Sequence, residues 1–411
     1  MADSLADKIA ARPEWLQDVS DPVTYAKHGV PHETFDWIRA NDPVYWTESA
    51  EGYKGFWVVS KYDDVVRISK DPATFSSHRG GSNIEDYDEY DLNNIRMMLI
   101  NMDPPQHVKF RRLVKKGFTP RMVAIMEPQI RDEIDDIFAS LPKERACDFV
   151  KHIAAELPLR VICRLMGVPF EDRSKIFDWS NRLIGFSDPE FQTSLEDGRM
   201  AAMELWMYAE SLAETRRGTE GEDLVRVLLN ATVDGDSLTE MEFDSFMLLL
   251  SVAGNETTRN AISAGLLTLL KHPDQWERLK NEPELIPTAV EEILRWHPPV
   301  MYFRRTATQD CEVRGQKIKE DDKLCIYYTS ANRDEDIFEN AGTFDIARQE
   351  NHHLAFGVGQ HFCLGASLAR LEMQLLFEKL IEYMPDVRVT GDLRRLQSNF
   401  ISGYKEIPVA W

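Results

Sequence analysis

Beyond about residue 105, apolar residues recur at three- and four-residue intervals, the spacing that gathers one stripe of side chains on the inner face of a helix. This pattern predicts helices over 121–139, 151–166, 172–184, 195–216, 223–230, 238–270, 273–280, 287–296 and 364–383. Two regions carry strand-forming residues instead. Val44 to Ser60, VYWTESAEGYKGFWVVS, places β-formers on either side of Gly52 and Gly55 and predicts a hairpin. Short strands are expected again within 309–327 and near the C-terminus. The fold class is therefore mainly α with a minor β region. No repeat, low-complexity tract or long linker interrupts the pattern, so one continuous domain over 1–411 is expected. The acidic run Ile84 to Asp91 is expected to be a solvated loop, and the adjoining Met97, Met98, Leu99 and Ile100 to be packing residues.

Composition narrows the classes open to such a chain. Hydrophobic residues make up 43% of the 411, enough for a substantial core. The 69 acids against 48 bases leave a net charge of −21, which argues against nucleic acid as the main partner and confines any basic docking face to a local patch. The richest apolar run, Phe246 to Gly254, is far shorter than the roughly 18 residues of a membrane span, and MADSLADKIA lacks the basic start and apolar centre of a secretory signal. The expectation is a cytoplasmic protein without a membrane anchor, acting as a monomer. Five cysteines with no C-x-x-C pair suit a reducing compartment, and Cys147, Cys163, Cys311 and Cys325 are expected to fill apolar space.

Cys363 stands apart from these. It lies in FGVGQHFCLG, Phe356 to Gly365, directly before ASLARLEMQLLFEKL, whose periodicity is that of a buried helix. A cysteine in a Gly-rich turn at a helix N-terminus sits where backbone N–H groups and the dipole lower a thiol pKa. Gly357 and Gly359 permit tight backbone geometry beside a large ligand, and Gly365 permits close approach at the helix start. A structural cysteine beside a glycine turn is the plainer alternative. A dinucleotide loop fails, because G-x-G-x-x-G needs glycine where Phe362 stands.

The pattern F-G-x-G-x-H-x-C-x-G resembles the haem-thiolate signature of cytochromes P450, with every fixed position met. The resemblance extends from FWVVSKYDDV to NFISGYKEIPV. It implies a cytochrome P450 fold with haem b, iron protoporphyrin IX, held between a long central helix and the cysteine-loop helix. Cys363 would be the metal ligand, with Phe356 beside it. His107 and Arg111 in DPPQHVKFRRLVKKGFTP, Arg305 in RRTATQD, and His361 match the donors to the haem propionates. Glu292 and Arg295 in AVEEILRWHPP, one helical turn apart, match the E-x-x-R pair, with Arg348 of FDIAR as its downstream partner.

Within the helix predicted over 238–270, AGNETT places polar residues at mid-length, where burying them is costly. By resemblance, Glu256 and Thr257 relay protons to oxygen, and Ala253 and Gly254 leave room for O2. Backbone hydrogen bonding by the threonines within their own helix is the plainer reading. No flavin or nicotinamide loop is present, so electrons are expected from a ferredoxin and its reductase, docking near the basic Lys109, Arg112, Lys115 and Lys116. Positions matching substrate-contact segments are apolar: Met98, Val252, Met301, Phe303, Phe400 and Ile401. The strings look most like soluble enzymes that hydroxylate sterol side chains and methyl-branched lipids, which implies a monooxygenase acting on an unactivated C–H bond of a hydrophobic small molecule. A related monoterpenoid hydroxylase, or a non-catalytic haem-thiolate sensor, is the alternative.

Overall fold

A computed structural model describes residues 5, 9, 12–219, 223–232 and 235–411. Helix α1 is Pro22–His28 and α2 is His32–Asn41; Asp21 caps α1 through the backbone N–H of Val23. A sheet follows, built from β1 (Val44–Thr47), β2 (Phe56–Val59), β3 (Phe75–Ser76), β4 (Tyr302–Ala307) and β5 (Lys323–Tyr327) in the order β1-β2-β5-β4-β3. The predicted hairpin is β1 against β2, in the register Val44 opposite Val59 and Thr47 opposite Phe56. Gly55 is required there: a Cβ would lie 2.5 Å from the Trp46 ring. The interior strand β4 was not foreseen from the sequence. It is buried along nearly its whole length, so it lacks the alternation that marks a half-exposed strand.

The helical body comprises α3 (Gln106–Val114), α4 (Pro120–Ala139), α5 (Glu156–Met166), α6 (Arg173–Ile184), α7 (Leu195–Arg216), α8 (Glu240–Lys271), α9 (Ile286–Trp296) and α10 (Ala366–Tyr383). Helix α3 has no counterpart among the predicted ranges; the other bounds agree with the predicted ones to within two residues, except that 151–166 is divided into a wide turn over Val150–Ala154 and then α5. At about 1.5 Å per residue the 32 residues of α8 span roughly 48 Å. A capping box between Thr239 and Glu242 starts this helix, and His272 with Pro273 ends it. Helices α5, α6, α7, α9 and α10 all pack against it. Around it the largest apolar cluster assembles, including Ile162, Phe246, Ile262, Leu266, Ile293 and Phe377.

The acidic run corrects an expectation. Ile84 and Glu85 are buried rather than solvated, and burial pushes the Glu85 carboxyl up to about 7. A helix over Glu89–Ile95 begins inside the run, and Asp91 and Asp88 hold Arg199 of α7 at 2.8 and 3.5 Å. The run docks one element onto another. No helix among the described residues is long and apolar enough to cross a membrane. Of the other cysteines, Cys163 and Cys325 are buried, while Cys147 and Cys311 are only half-buried.

Candidate functional site

The cysteine loop connects the sheet side of the molecule to α10. Its amide N–H at Cys363 donates to the Phe356 carbonyl at 2.8 Å, and that of Gly357 to the Leu354 carbonyl at 2.8 Å, closing a tight curl. Gly357 and Gly359 take φ of +68° and +77°, the left-handed region that glycine enters without strain. At Gly359 a Cβ would also meet the Ser69 carbonyl at 3.0 Å. The thiol of Cys363 ends in an apolar cavity whose opposite wall is α8, through Ala253, Gly254, Thr257 and Thr258. Desolvation inside this enclosure pushes the thiol pKa up, against the backbone N–H groups of Gly365 and Ala366 and the cations Arg111 and Arg370, which pull it down. The expectation of a lowered thiol pKa is thus corrected: enclosure outweighs the helix terminus. A metal cation at the sulfur is what tips such a group to thiolate.

At one edge of the cavity the sequence-predicted donors come together. His107 and His361 stack with ring centroids 4.3 Å apart, and Arg111 of α3 donates to the Phe362 carbonyl in the loop. Arg305 of β4 lies buried behind them, donating to the Arg304 carbonyl at 2.8 Å. Burial first, then Arg111 and Arg305, depress His107 to about 4, and burial with Arg305 depresses His361 strongly. Both ring nitrogens of His107 are buried with no hydrogen-bond partner. Neither arginine has a carboxylate within ion-pair distance among the described residues. A cluster this rich in unanswered donors fits a bound anion such as a carboxylate, and the apolar walls fit a flat hydrophobic ring system. The donors and the thiol therefore suit a haem.

Across the cavity, Thr257 donates to the Ala253 carbonyl at 2.7 Å, the local bond expected of a mid-helix threonine. Glu256 is fully buried but does not line this cavity. It pairs with Arg259, which in turn donates to Asn181 of α6 at 3.0 Å, while its Oε1 is left without a partner. Burial raises its pKa and Arg259 opposes that rise. Gly254 does line the cavity, yet what forbids a side chain there is packing: a Cβ would lie 2.7 Å from Ile162 of α5.

Glu292 and Arg295 are fully buried and paired with each other. Arg295 donates from Nη2 and Nε to the two carboxylate oxygens at 2.7 and 2.8 Å, and Arg348 adds a third bond at 3.0 Å. Arg295 also holds the carbonyls of Asn332, Ala341 and Thr343 at 2.9, 3.0 and 3.0 Å, so the triad gathers the chain that leads into the cysteine loop. Sequence reasoning missed a neighbouring set. Arg370 of α10 donates to both oxygens of Glu291 at 2.7 and 2.8 Å and stands 4.5 Å over the Phe356 ring, while His353 meets Glu291 at 3.1 Å. Burial would raise Glu291, but the bonds from Arg370 and His353 overcome it and hold the carboxyl down at about 2. Also missed was Glu372 on the cavity wall, its Oε2 unpartnered and its pKa driven well above normal by burial. An acid inside the otherwise apolar periodicity of α10 was the available signal.

Of the six apolar positions expected to contact substrate, only Phe303 lines the cavity. Phe400 meets Phe303 edge to face with centroids 5.7 Å apart, one layer behind the wall. Met301 is fully buried in the cluster formed with Tyr302, Cys325 and Tyr327, and Met98 packs against the main core. On α8 the cavity takes Leu249, Leu250 and Ala253 and passes over Val252. Ile401 bridges to Val300 but faces a different cavity. The basic face is present beside the loop: α3 runs into a turn over Lys115–Phe118 in which Lys115 is exposed, Lys116 reaches the Thr232 carbonyl at 2.7 Å, and Lys109 pairs with Asp236 at 3.1 Å.

Comparison with known proteins bears on this geometry. A family model described as Cytochrome P450 matches residues 23–384. A steroid C26-monooxygenase of Rhodococcus jostii is 43% identical over 95% of this chain and 84% of its own length. A methyl-branched lipid omega-hydroxylase of Mycobacterium tuberculosis is also 43% identical, over 92% of this chain and 90% of its own. Among solved structures, a Mycobacterium marinum cytochrome P450 in complex with pseudoionone superposes with a TM-score of 0.89 at 36% identity, covering 98% of this chain and 100% of that one.

Proposed function

The chain belongs to the cytochrome P450 family and is a monooxygenase of hydrophobic substrates, and on that footing we propose that it hydroxylates the terminal carbon of a branched alkyl chain, on a steroid side chain or a methyl-branched lipid. The balance of the reaction is one C–H bond, O2, two electrons and two protons giving C–OH and water. The thiol of Cys363, aimed into an apolar cavity under Thr257, is the observation that carries the assignment of the site. Similarity to a steroid C26-monooxygenase and a methyl-branched lipid omega-hydroxylase, both acting at the end of a chain, supports the choice of substrate.

Cys363 would hold haem b by its sulfur, and His107, Arg111, Arg305 and His361 its propionates; when bound, this group supplies the reductive activation of O2. The protein's own residues do the rest. Leu249, Leu250, Val300 and Phe303 exclude water and hold the alkyl chain by burial. Thr257 presents its hydroxyl to the cavity while bonded back to Ala253. Glu256, one carboxylate oxygen fixed by Arg259 and Oε1 left unpartnered, relays protons toward Thr257. The Glu292–Arg295–Arg348 triad keeps the approach to the cysteine loop in place.

Electrons arrive from a partner protein. The same reading makes that partner a ferredoxin, served by its reductase and docked on the face carrying Lys109, Arg112, Lys115 and Lys116, with the enzyme acting as a monomer in the cytoplasm. Titrating a sterol, a methyl-branched fatty acid and a monoterpene into the ferric protein, followed by product analysis with a ferredoxin system, tests the substrate. A spin-state shift and terminal hydroxylation with the sterol or the branched acid is expected. Turnover of the monoterpene alone would make the chain a monoterpenoid hydroxylase, and binding without any turnover would make it a sensor.

A further inference from the structure

A second cavity of about 280 Å3, open to solvent, lies at the far end of α8 and shares no lining residue with the Cys363 cavity. That is many times the ~10–15 Å3 that admits one water. Its walls come from α1 and α2, the last turns of α8, the segments that follow α9, and the chain from Arg395 to Tyr404. Lys271, Arg333 and Arg395 enter from three of these elements, with His32 and His297 between them. No carboxylate lines it, and none of the three cations has an acid within ion-pair distance among the described residues. In a chain with 69 acids and 48 bases, this is an unusual place for cations to collect.

The two acids whose charge acts on Arg333 are engaged elsewhere. Asp36, on the Arg333 side, holds Arg39 at 2.6 Å, and Glu292 is taken by Arg295 and Arg348. Arg333 is held in place, its guanidinium 3.7 Å over the Trp296 ring and bonded to the Trp296 carbonyl at 3.3 Å, yet its Nε is buried with no partner. Nδ1 of His32 is likewise buried and unpartnered. His297 is braced by Ser402 at 2.8 Å. Burial first, then Arg333, Lys271 and Arg395, drive it to about 4, so the fields of all three cations converge on this space. Unsatisfied buried donors are costly and call for an acceptor.

We propose that this second cavity is a binding site for a phosphate monoester, free in solution or as a lipid headgroup. Donors converging from several directions suit a tetrahedral dianion, whose oxygens offer acceptors on every side. The site lies apart from the haem side and does not depend on the reading of the substrate.

The test uses the holoprotein and the K271Q/R395Q variant, both changes lying at the mouth rather than in the core. Inorganic phosphate is titrated by calorimetry against acetate at matched ionic strength. Flotation with phosphatidylcholine vesicles, with and without phosphatidic acid, forms the second arm. Saturable binding of phosphate, tighter than acetate and weakened roughly tenfold or more in the variant, is expected for a free ester. Binding confined to the phosphatidic acid vesicles, and lost in the variant, would assign the headgroup. Phosphate no tighter than acetate together with no vesicle preference, or equal binding by both proteins, overturns the proposal. If the variant fails to fold, the comparison of phosphate with acetate on the wild type decides alone.

Discussion

Thr257 and Glu256 are neighbours in sequence with opposite environments. Thr257 faces the cavity and Glu256 is locked behind it against Arg259. Removing the hydroxyl changes little in packing, so Thr257→Ala is expected to retain haem and substrate binding while diverting electrons to peroxide. Product formed per NADPH consumed, alongside peroxide released, checks this; unchanged coupling would remove Thr257 from the proton path. Glu291 offers a test by pH. Its carboxyl sits at about 2 in the folded chain, below the ordinary value of 4.5, so it binds its proton less readily folded than unfolded. The stability it contributes is complete above about 4.5 and is lost as pH falls toward 2. Glu291→Gln should therefore flatten the acid limb of the wild-type melting curve measured against pH. An acid limb identical in both proteins would show that Glu291 is not what fails there.

At the level of elements, the long helix α8 is where packing and chemistry meet. Gly265 lies where α8 crosses α9 and α10, and a Cβ there would stand 2.8 Å from the Phe377 ring and 3.0 Å from Ile293. Gly265→Ala is expected to destabilise the fold by about 1–3 kcal/mol through overpacking, read from denaturant unfolding. The buried triad makes a stronger demand. Glu292→Ala strands the fully buried guanidinium of Arg295 and removes a partner of the partly buried Arg348, a loss of about 3–5 kcal/mol, and is expected to abolish haem incorporation. A normal holoprotein spectrum in that mutant would refute the role. Long amphipathic helices were legible because their periodicity repeats over many turns, and the cysteine loop because its spacing is dense in glycine. Strand β4 is buried on both faces and so left no alternating pattern, whereas the helix His32–Asn41 is longer than the one expected over 273–280, so length does not explain why it was missed. The pairing of Glu292 with Arg348 across 56 residues was named from resemblance alone. Met301 and Ile401 show the limit of such transfer: being apolar did not put them on the cavity wall, because whether a side chain faces core or cavity depends on register, which the sequence does not display.

For the whole molecule the charge distribution sets the terms. A net charge of −21 repels an acidic partner everywhere except at a local basic face, and the turn after α3 supplies one close to the cysteine loop. Reversing Lys115 and Lys116 should lower ferredoxin-driven turnover more at low than at high ionic strength, since salt screens the steering they provide. An equal loss at both salts would discard the docking face. The proposed reaction, the reading of the donor cluster and the proposed redox partner all presuppose a haem iron held by the sulfur of Cys363. The most direct measurement is the absorption spectrum of the ferrous carbonyl complex in the purified wild type and in Cys363→Ser. The account predicts a thiolate-type spectrum in the wild type and its loss in the variant. A histidine-type spectrum in the wild type, or the same spectrum in both, would contradict it.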